Sequence, residues 1–392
     1  MPEHTDTRLG ARLREVRKRR GLSQRELAAA SGVSLSLIRK LEQHDLTDTR
    51  LETAHRLAVA LRLPTSHLLQ RDAPRADQPT TDRLAPVRAA VLTPPVRPLA
   101  EEPTTPGVAA ALAAAEPLFD SVNLGGLAGV LPSLLRDADA LTDTGRRTRV
   151  VQVRVLQLAG WFLTQTHQYE AAAAALDRAM DTAGDQLDGA ATVNTRCWLL
   201  LRQGRLSEAR ELAIEWADDT EPRMSRAAPA ELSAWGWMLL RTAGAAVRDN
   251  RPGEARDALR LARSAAVAMG REDVAGVDAL RTFGPATVAQ HRVEHANVGD
   301  RPDQVLKLAA SMPPGTMTAS NRARHKLNVA DAHARVRQHA EAVAILHEVR
   351  AERPEWLAQQ RYARDIMGRI IGRRRTLTPE MRSLADAVNL PV

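Results

Sequence analysis

The chain has one cysteine in 392 residues, Cys197. An intrachain disulfide is therefore impossible, and a cysteine-built zinc site is excluded with it. Aromatic residues make up only 3% of the chain, so the core must come largely from Ala, Leu and Val. With few β-branched runs, that composition points to helices. Lysine is scarce, 4 against 51 arginines, which is read as genomic base composition and not as function. No run of 18 apolar residues occurs, and no apolar segment follows the first residues. Neither membrane spanning nor secretion is expected, and a reducing cytoplasm fits the lone cysteine. The signatures G-x-S-x-G, H-E-x-x-H and G-x-x-x-x-G-K are all missing, so no enzyme, cofactor or metal site is expected. His291 and His295 have a chelating i, i+4 spacing but read as ordinary helix-surface histidines. Asn123-Leu-Gly-Gly126 reads as a turn, because no basic residue adjoins it to hold a phosphate.

What is present begins with residues 22–42, LSQRELAAASGVSLSLIRKLE. Ser23 with Glu26 three residues on makes a capping box, and Gly32 suits the left-handed stop of a first short helix. Ser34 caps a second. Leu22, Leu27, Ala28, Val33, Ile38 and Leu41 fall where two helices crossing at a sharp turn need apolar contacts. Arg8–Arg20 form a basic amphipathic helix with Leu9, Leu13 and Val16 on its apolar face. Leu51, Ala54, Leu57, Ala58 and Leu61 predict a helix over 50–62. Pro64 opens a fifth, ending near Gln70. Residues 1–72 hold 14 Lys+Arg against 9 Asp+Glu, so most of the chain's net +8 lies here. Such charge favours nucleic-acid backbone, although any one of Arg17, Lys18, Arg19 and Arg20 is equally well a solvated face.

Residues 8–71 thus resemble the five-helix DNA-binding domain of the lambda-repressor-like (xenobiotic-response-element) family, on S-Q-x-E-L-A, the turn Gly and the I-x-x-L-E ending. The resemblance implies that Ser34, Leu35, Ser36, Arg39 and Lys40 face the major groove, that Gln24 holds a phosphate, and that Arg25 and Arg50 join the DNA contacts. Leu35 and Ser36 depart from the glutamines common there in phage repressors; Leu35 suits a thymine methyl.

Eight prolines within 72–106 mark a semi-rigid linker, with one short helix over Arg83–Leu92. Beyond it the pattern is helical and repeats: Gln168-Tyr-Glu-Ala-Ala172, Arg205-Leu-Ser-Glu-Ala209, Arg251-Pro-Gly-Glu-Ala255, Gln338-His-Ala-Glu-Ala342, and a weaker Arg301-Pro-Asp-Gln-Val305. A small residue recurring where paired helices touch is the mark of an α-solenoid. Residues 148–372 resemble degenerate tetratricopeptide (TPR) repeats, with 108–143 adding an earlier helix pair. The expected fold is all-α: a five-helix helix-turn-helix domain (1–71), the linker (72–106) and a TPR-like α-solenoid (107–392) for sensing and dimerisation.

The resemblance places the first helix of each pair on a concave inner face. Superimposing repeats then aligns Arg154 with Ala191, Gln157 with Asn194, Trp161 with Trp198, and Gln165 with Arg202. Later repeats give Trp237 and Arg241, then Gln290, Glu294 and Asn297, then Arg324, Asn328 and Arg335. Amides offer a peptide backbone a donor and an acceptor together, Arg pairs with carboxylates, and Trp gives an apolar wall. The expected ligand contacts are Gln157, Trp161, Asn194, Trp198, Arg202, Trp237, Arg241, Gln290, Asn297, Arg324 and Asn328. Against this stand packing roles for the Trp residues and solvation for the amides. The combination resembles the Gram-positive peptide-sensing quorum regulators. That implies a homodimer on double-stranded DNA at a near-palindromic operator, with a signalling peptide changing DNA affinity. A small-molecule ligand, or a TPR scaffold tethered to DNA, are the alternatives.

Overall fold

The computed structural model describes residues 9–43, 49, 51–63, 65, 68, 82–93, 102–272, 281–313, 317–372 and 377–390. Among them there is helix and no strand. The head contains α1 (Leu9–Arg19), α2 (Gln24–Ser31), α3 (Leu35–Glu42) and α4 (Leu51–Ala60). Most of the fifth predicted helix, and Arg50, lie outside the described residues.

The local signals act as the sequence requires. The Ser23 Oγ accepts from the Glu26 amide at 3.2 Å while the Glu26 carboxylate accepts from the Ser23 amide at 2.7 Å. Gly32 takes φ 64° and its amide closes onto the Ala28 carbonyl. Ser34 Oγ caps α3 by accepting from the Leu37 amide. Leu13, Leu27, Ile38, Leu41, Leu57 and Leu61 then close a core of their own.

The short helix α5 (Ala85–Leu92) does not float between the two halves. It buries Val87 and Val91, and it packs on α7 (Leu124–Asp139), which pairs with α6 (Thr105–Asp120). Arg88 reaches Gln168 at 2.9 Å, and Arg178 reaches the Val91 carbonyl at 3.1 Å.

Five helical hairpins follow: α8 (Arg146–Gln165) with α9 (Tyr169–Thr182); α10 (Gln186–Gln203) with α11 (Leu206–Asp219); α12 (Pro229–Arg248) with α13 (Pro252–Met269); α14 (Pro285–Val298) with α15 (Pro302–Ala310); and α16 (Ala319–Arg335) with α17 (His339–Glu352). The small anchors Ala172, Ala209, Ala255, Val305 and Ala342 are all fully buried. Every hairpin turns on a left-handed residue at one register position: His167, Gly204, Asn250, Asp300 and Arg337. The next amide, that of Gln168, Arg205, Arg251, Arg301 or Gln338, bonds back five residues at 2.8–3.0 Å. This is the Schellman closure, and four of the five residues adopting it are not glycine. The chain ends with α18 (Pro354–Ala358), α19 (Arg361–Ile371) and α20 (Pro379–Ala387); α19 lies against α16.

Candidate DNA-binding face and ligand channel

On the head, Arg25, Ser34, Ser36, Arg39 and Lys40 are exposed, and Gln24 and Leu35 are half-buried. Arg17 is a correction to the reading of the basic run as surface. It is buried and clasps Glu42 in a two-pronged pair, Nε–Oε1 2.6 Å and Nη2–Oε2 2.7 Å. Its Nη1 also donates to the Leu22 carbonyl. Gln24 donates to the same carboxylate at 2.8 Å. The guanidinium thus fixes α1 against α3 instead of meeting phosphate, and burial of Glu42 is outweighed by Arg17 and Gln24, which hold its carboxyl below the usual range. Gly10 serves the same junction: a Cβ there would stand 1.8 Å from the Leu41 carbonyl oxygen.

The inner helices α8, α10, α12, α14 and α16 enclose a channel made of two chambers. The first, about 220 Å³, is lined by Trp161, Trp198, Arg202, Trp237, Arg241, Gln290 and Arg324, all expected from the sequence. Phe119, Arg248, Arg281, His291 and Glu294 join them. The second, about 340 Å³, takes Asn297 and Asn328 together with Asp300, Arg335, Arg361 and Tyr362. Leu201, Arg202, Arg248, Glu294 and Arg324 line both chambers. Gln157 and Asn194 line neither. The Gln157 amide donates across to the Asp188 carbonyl and Thr192 Oγ1, and Asn194 Oδ1 accepts from Arg241 Nε at 2.5 Å. Gln290 likewise donates to the Asn321 carbonyl. The inward amides therefore stitch successive inner helices together.

Aromatic faces and charges meet in the first chamber. The Arg202 guanidinium lies 5.6 Å from the Trp198 ring, and those of Arg241 and Arg281 lie 5.2 and 5.9 Å from the Trp237 ring, within cation–π range. His291 is not on the helix surface, as its spacing had implied. Its ring meets Trp237 edge-on at 5.6 Å, and burial pushes its pKa down to about 4. Burial alone would raise the Glu294 carboxyl, but Arg248, His291 and Arg324 bring it to about 2. Cys197 lies buried in the adjoining core with its thiol pushed up to about 12 by burial, which makes it a poor nucleophile. Among the described residues no group of three metal-ligating side chains occurs, and no helix is long and apolar enough to cross a membrane.

The sequence reasoning missed the head's part in this site. Thr49, Glu52, His55 and Arg56 line the second chamber. Glu52 Oε1 meets Arg335 Nη2 at 3.2 Å and Arg369 Nη2 at 3.3 Å. Asp331 holds the same two guanidiniums. His55 Nδ1 donates to the Arg248 carbonyl at 2.7 Å, and its burial lowers its pKa. Nothing local in residues 51–56 signals a partner some 280 positions away. Arg248, by contrast, was legible: it lies two turns beyond Arg241 on the same face as Trp237.

Residues 13–68 match the Helix-turn-helix family. The head is a helix-turn-helix DNA-binding domain. No curated protein matches the chain. Among solved structures, the crystal structure of Bacillus thuringiensis PlcR in complex with the peptide PapR7 and DNA is similar at 13% identity and a TM-score of 0.36, over 86% of this chain and 98% of that one.

Proposed function

We propose that the chain is a cytoplasmic, ligand-responsive transcriptional regulator with a head at 1–71, a connecting segment at 72–106 and a sensor at 107–392. It binds a near-palindromic operator as a homodimer and reads a signalling peptide, as in quorum sensing, through the channel. One observation carries this reading: helix α4 of the DNA-binding head is a wall of the solenoid's channel, through Glu52, His55 and Arg56. Whatever fills the second chamber meets the head directly, so a ligand that favours one head position over another can shift DNA affinity by up to that difference in free energy. Asn297 Oδ1 and Asn328 Nδ2, on adjacent repeats, are buried without hydrogen-bond partners among the described residues. Together they offer an acceptor and a donor, which is what an extended peptide group requires. Trp161, Trp198, Arg202, Trp237, Arg241, Gln290 and Arg324 complete the proposed contacts. Gln157 and Asn194 act one layer behind, as spacers between helices.

The test starts from operators selected by the full chain out of random duplexes. Fluorescence anisotropy then reads its affinity with and without conditioned medium of the encoding organism. A change of about fivefold or more, lost when the medium is treated with protease, supports a peptide signal. A change that survives protease favours the small-molecule reading. No change with any fraction, or the same change for residues 1–72 alone, overturns the sensing role.

A further inference from the structure

The first chamber is not neutral. Among the described residues five arginines line it, Arg202, Arg241, Arg248, Arg281 and Arg324, against the single carboxylate Glu294. That carboxylate is bound to Arg248 and also faces Arg324. Arg202 is the sharpest case. It projects from α10 beside Trp198, and its Nε and Nη2 are buried and donate to nothing among the described residues. A guanidinium keeps its charge, and two directed donors left unmatched in a desolvated site are costly. Arg324 and Arg361 add like charge nearby; burial first, and then these two, lower the Arg202 pKa to about 10, which still leaves it protonated at neutral pH. Three further lining groups share this state: Trp237 Nε1, a donor, and Gln165 Oε1 and Gln290 Oε1, acceptors.

Three unmatched donors, two unmatched acceptors, excess positive charge and aromatic walls define what fits. We propose that the first chamber binds a carboxylate, gripped by the Arg202 fork, on a ligand whose apolar body lies against Trp198 and Trp237 and which offers an N–H to Gln290. The planar fork of Arg matches the two oxygens of a carboxylate, and in a poorly solvated chamber the attraction is stronger than at the surface. A peptide's C-terminus carries this chemistry, and so does a small N-acylated amino acid. The inference rests on reading the channel as a ligand site and adds the chemical class.

Isothermal titration of the full chain, without DNA, tests it with two matched pairs of probes. One pair is N-acetyl-phenylalanine and N-acetyl-phenylalaninamide. The other is the hexapeptide Ala-Leu-Ala-Leu-Ala-Phe as free acid and as amide. In at least one pair the acid should bind at least about tenfold more tightly than the amide, and the tighter acid identifies the source. Arg202→Gln should collapse that ratio to within about twofold, while Arg263→Gln, an exposed arginine away from the channel, should leave it unchanged. Acid and amide binding equally, a ratio that survives Arg202→Gln in a folded variant, or no binding by any probe at about 10 mM would each overturn the proposal. If Arg202→Gln fails to fold, the acid–amide ratio of the unmodified chain decides by itself. Failure here, with the response of operator binding to conditioned medium intact, would leave the channel reading standing with an uncharged ligand.

Discussion

Neutralising Glu52 should loosen the head from the solenoid by a calculable amount. In the docked arrangement its carboxylate touches Arg335 and Arg369 at 3.2 and 3.3 Å, with the Glu52 side chain 33% exposed and those of the arginines 13% and 21%. Fully exposed ion pairs contribute about 0.2–1 kcal/mol each, and buried charge-assisted bonds about 1.5–3. Two half-buried contacts therefore stabilise docking by about 1–2 kcal/mol. Glu52→Gln keeps the shape and removes the charge. It does not strand the two guanidiniums, because Asp331 still pairs with both. The loss is thus that of the contacts alone, without the penalty of an orphaned buried charge. A shift of about 1–2 kcal/mol moves the docking equilibrium roughly 5–30-fold. The operator affinity of the full chain should change by up to that factor and no more. Fluorescence anisotropy on a selected operator measures it, with residues 1–72 carrying the same substitution as control; that segment has its own closed core. An equal change in both lengths, or none in either, would refute the idea that Glu52 couples head to sensor.

Four further outcomes follow from other parts of the chain. Arg39, exposed on α3, should on replacement by Ala cost roughly 1–3 kcal/mol at the selected operator and relax preference at one base pair; uniform loss across sequences would make it a phosphate contact. One head reads one half-site, and paired half-sites lie about 34 Å apart, so sedimentation of the full chain at micromolar concentration should give twice its 42.8 kDa mass. His291 is held neutral at about 4 against an ordinary 6.5, so the unfolded chain binds its proton first as pH falls below 6.5; stability should drop by up to about 2 kcal/mol between pH 7.5 and 5 from this residue, and thermal melts of His291→Gln should show a shallower pH dependence. Arg337, exposed at φ 68°, should on replacement by Gly raise stability by about 0.5–1 kcal/mol, because glycine adopts that conformation without strain; a lower melting temperature would contradict it.

How much was readable in the sequence depended on the distance over which each feature is determined. The Ser23–Glu26 box, the Gly32 stop and the Ser34 cap are set within four residues, and α2 and α3 form where those signals put them. The repeat anchors were readable because a residue wedged between paired helices must be small. The common turn conformation was less visible, since His, Asn, Asp and Arg stand where only one repeat carries Gly. Asn and Asp tolerate the left-handed backbone more readily than His or Arg. Arg17 was misread because its partner Glu42 lies on another helix, and a basic run on an amphipathic surface looks the same with one member turned inward. The inner-face register did bring three tryptophans and three arginines of successive repeats to one chamber. It did not reveal that Gln157 and Gln290 are engaged by the next repeat, because the rise between inner helices is a property of the stack and not of any one repeat.

That last point bears on how the channel and the head would communicate in the proposed regulator. The spacing of the inner helices is set by polar bonds of one kind: Gln157 to Asp188 and Thr192, Arg241 to Asn194, Gln290 to Asn321, and Asn297 to Asn328 and Tyr362. The Asn297–Asn328 bond is the longest of these, at 3.4 Å, and both amides keep an unmatched atom. That bond lies in the chamber that the head helps to wall. On the proposed reading, a ligand amide inserted there competes with that long bond. Arg335 ties the step to the head, since it reaches the Asn297 carbonyl and Asp300 on one side and Glu52 on the other. A change in the α14–α16 spacing moves that guanidinium relative to at least one of its partners. The proposed conversion of ligand binding into a change of head position requires an element that both sites bias, and Arg335 is the side chain at which α14, α16 and α4 meet.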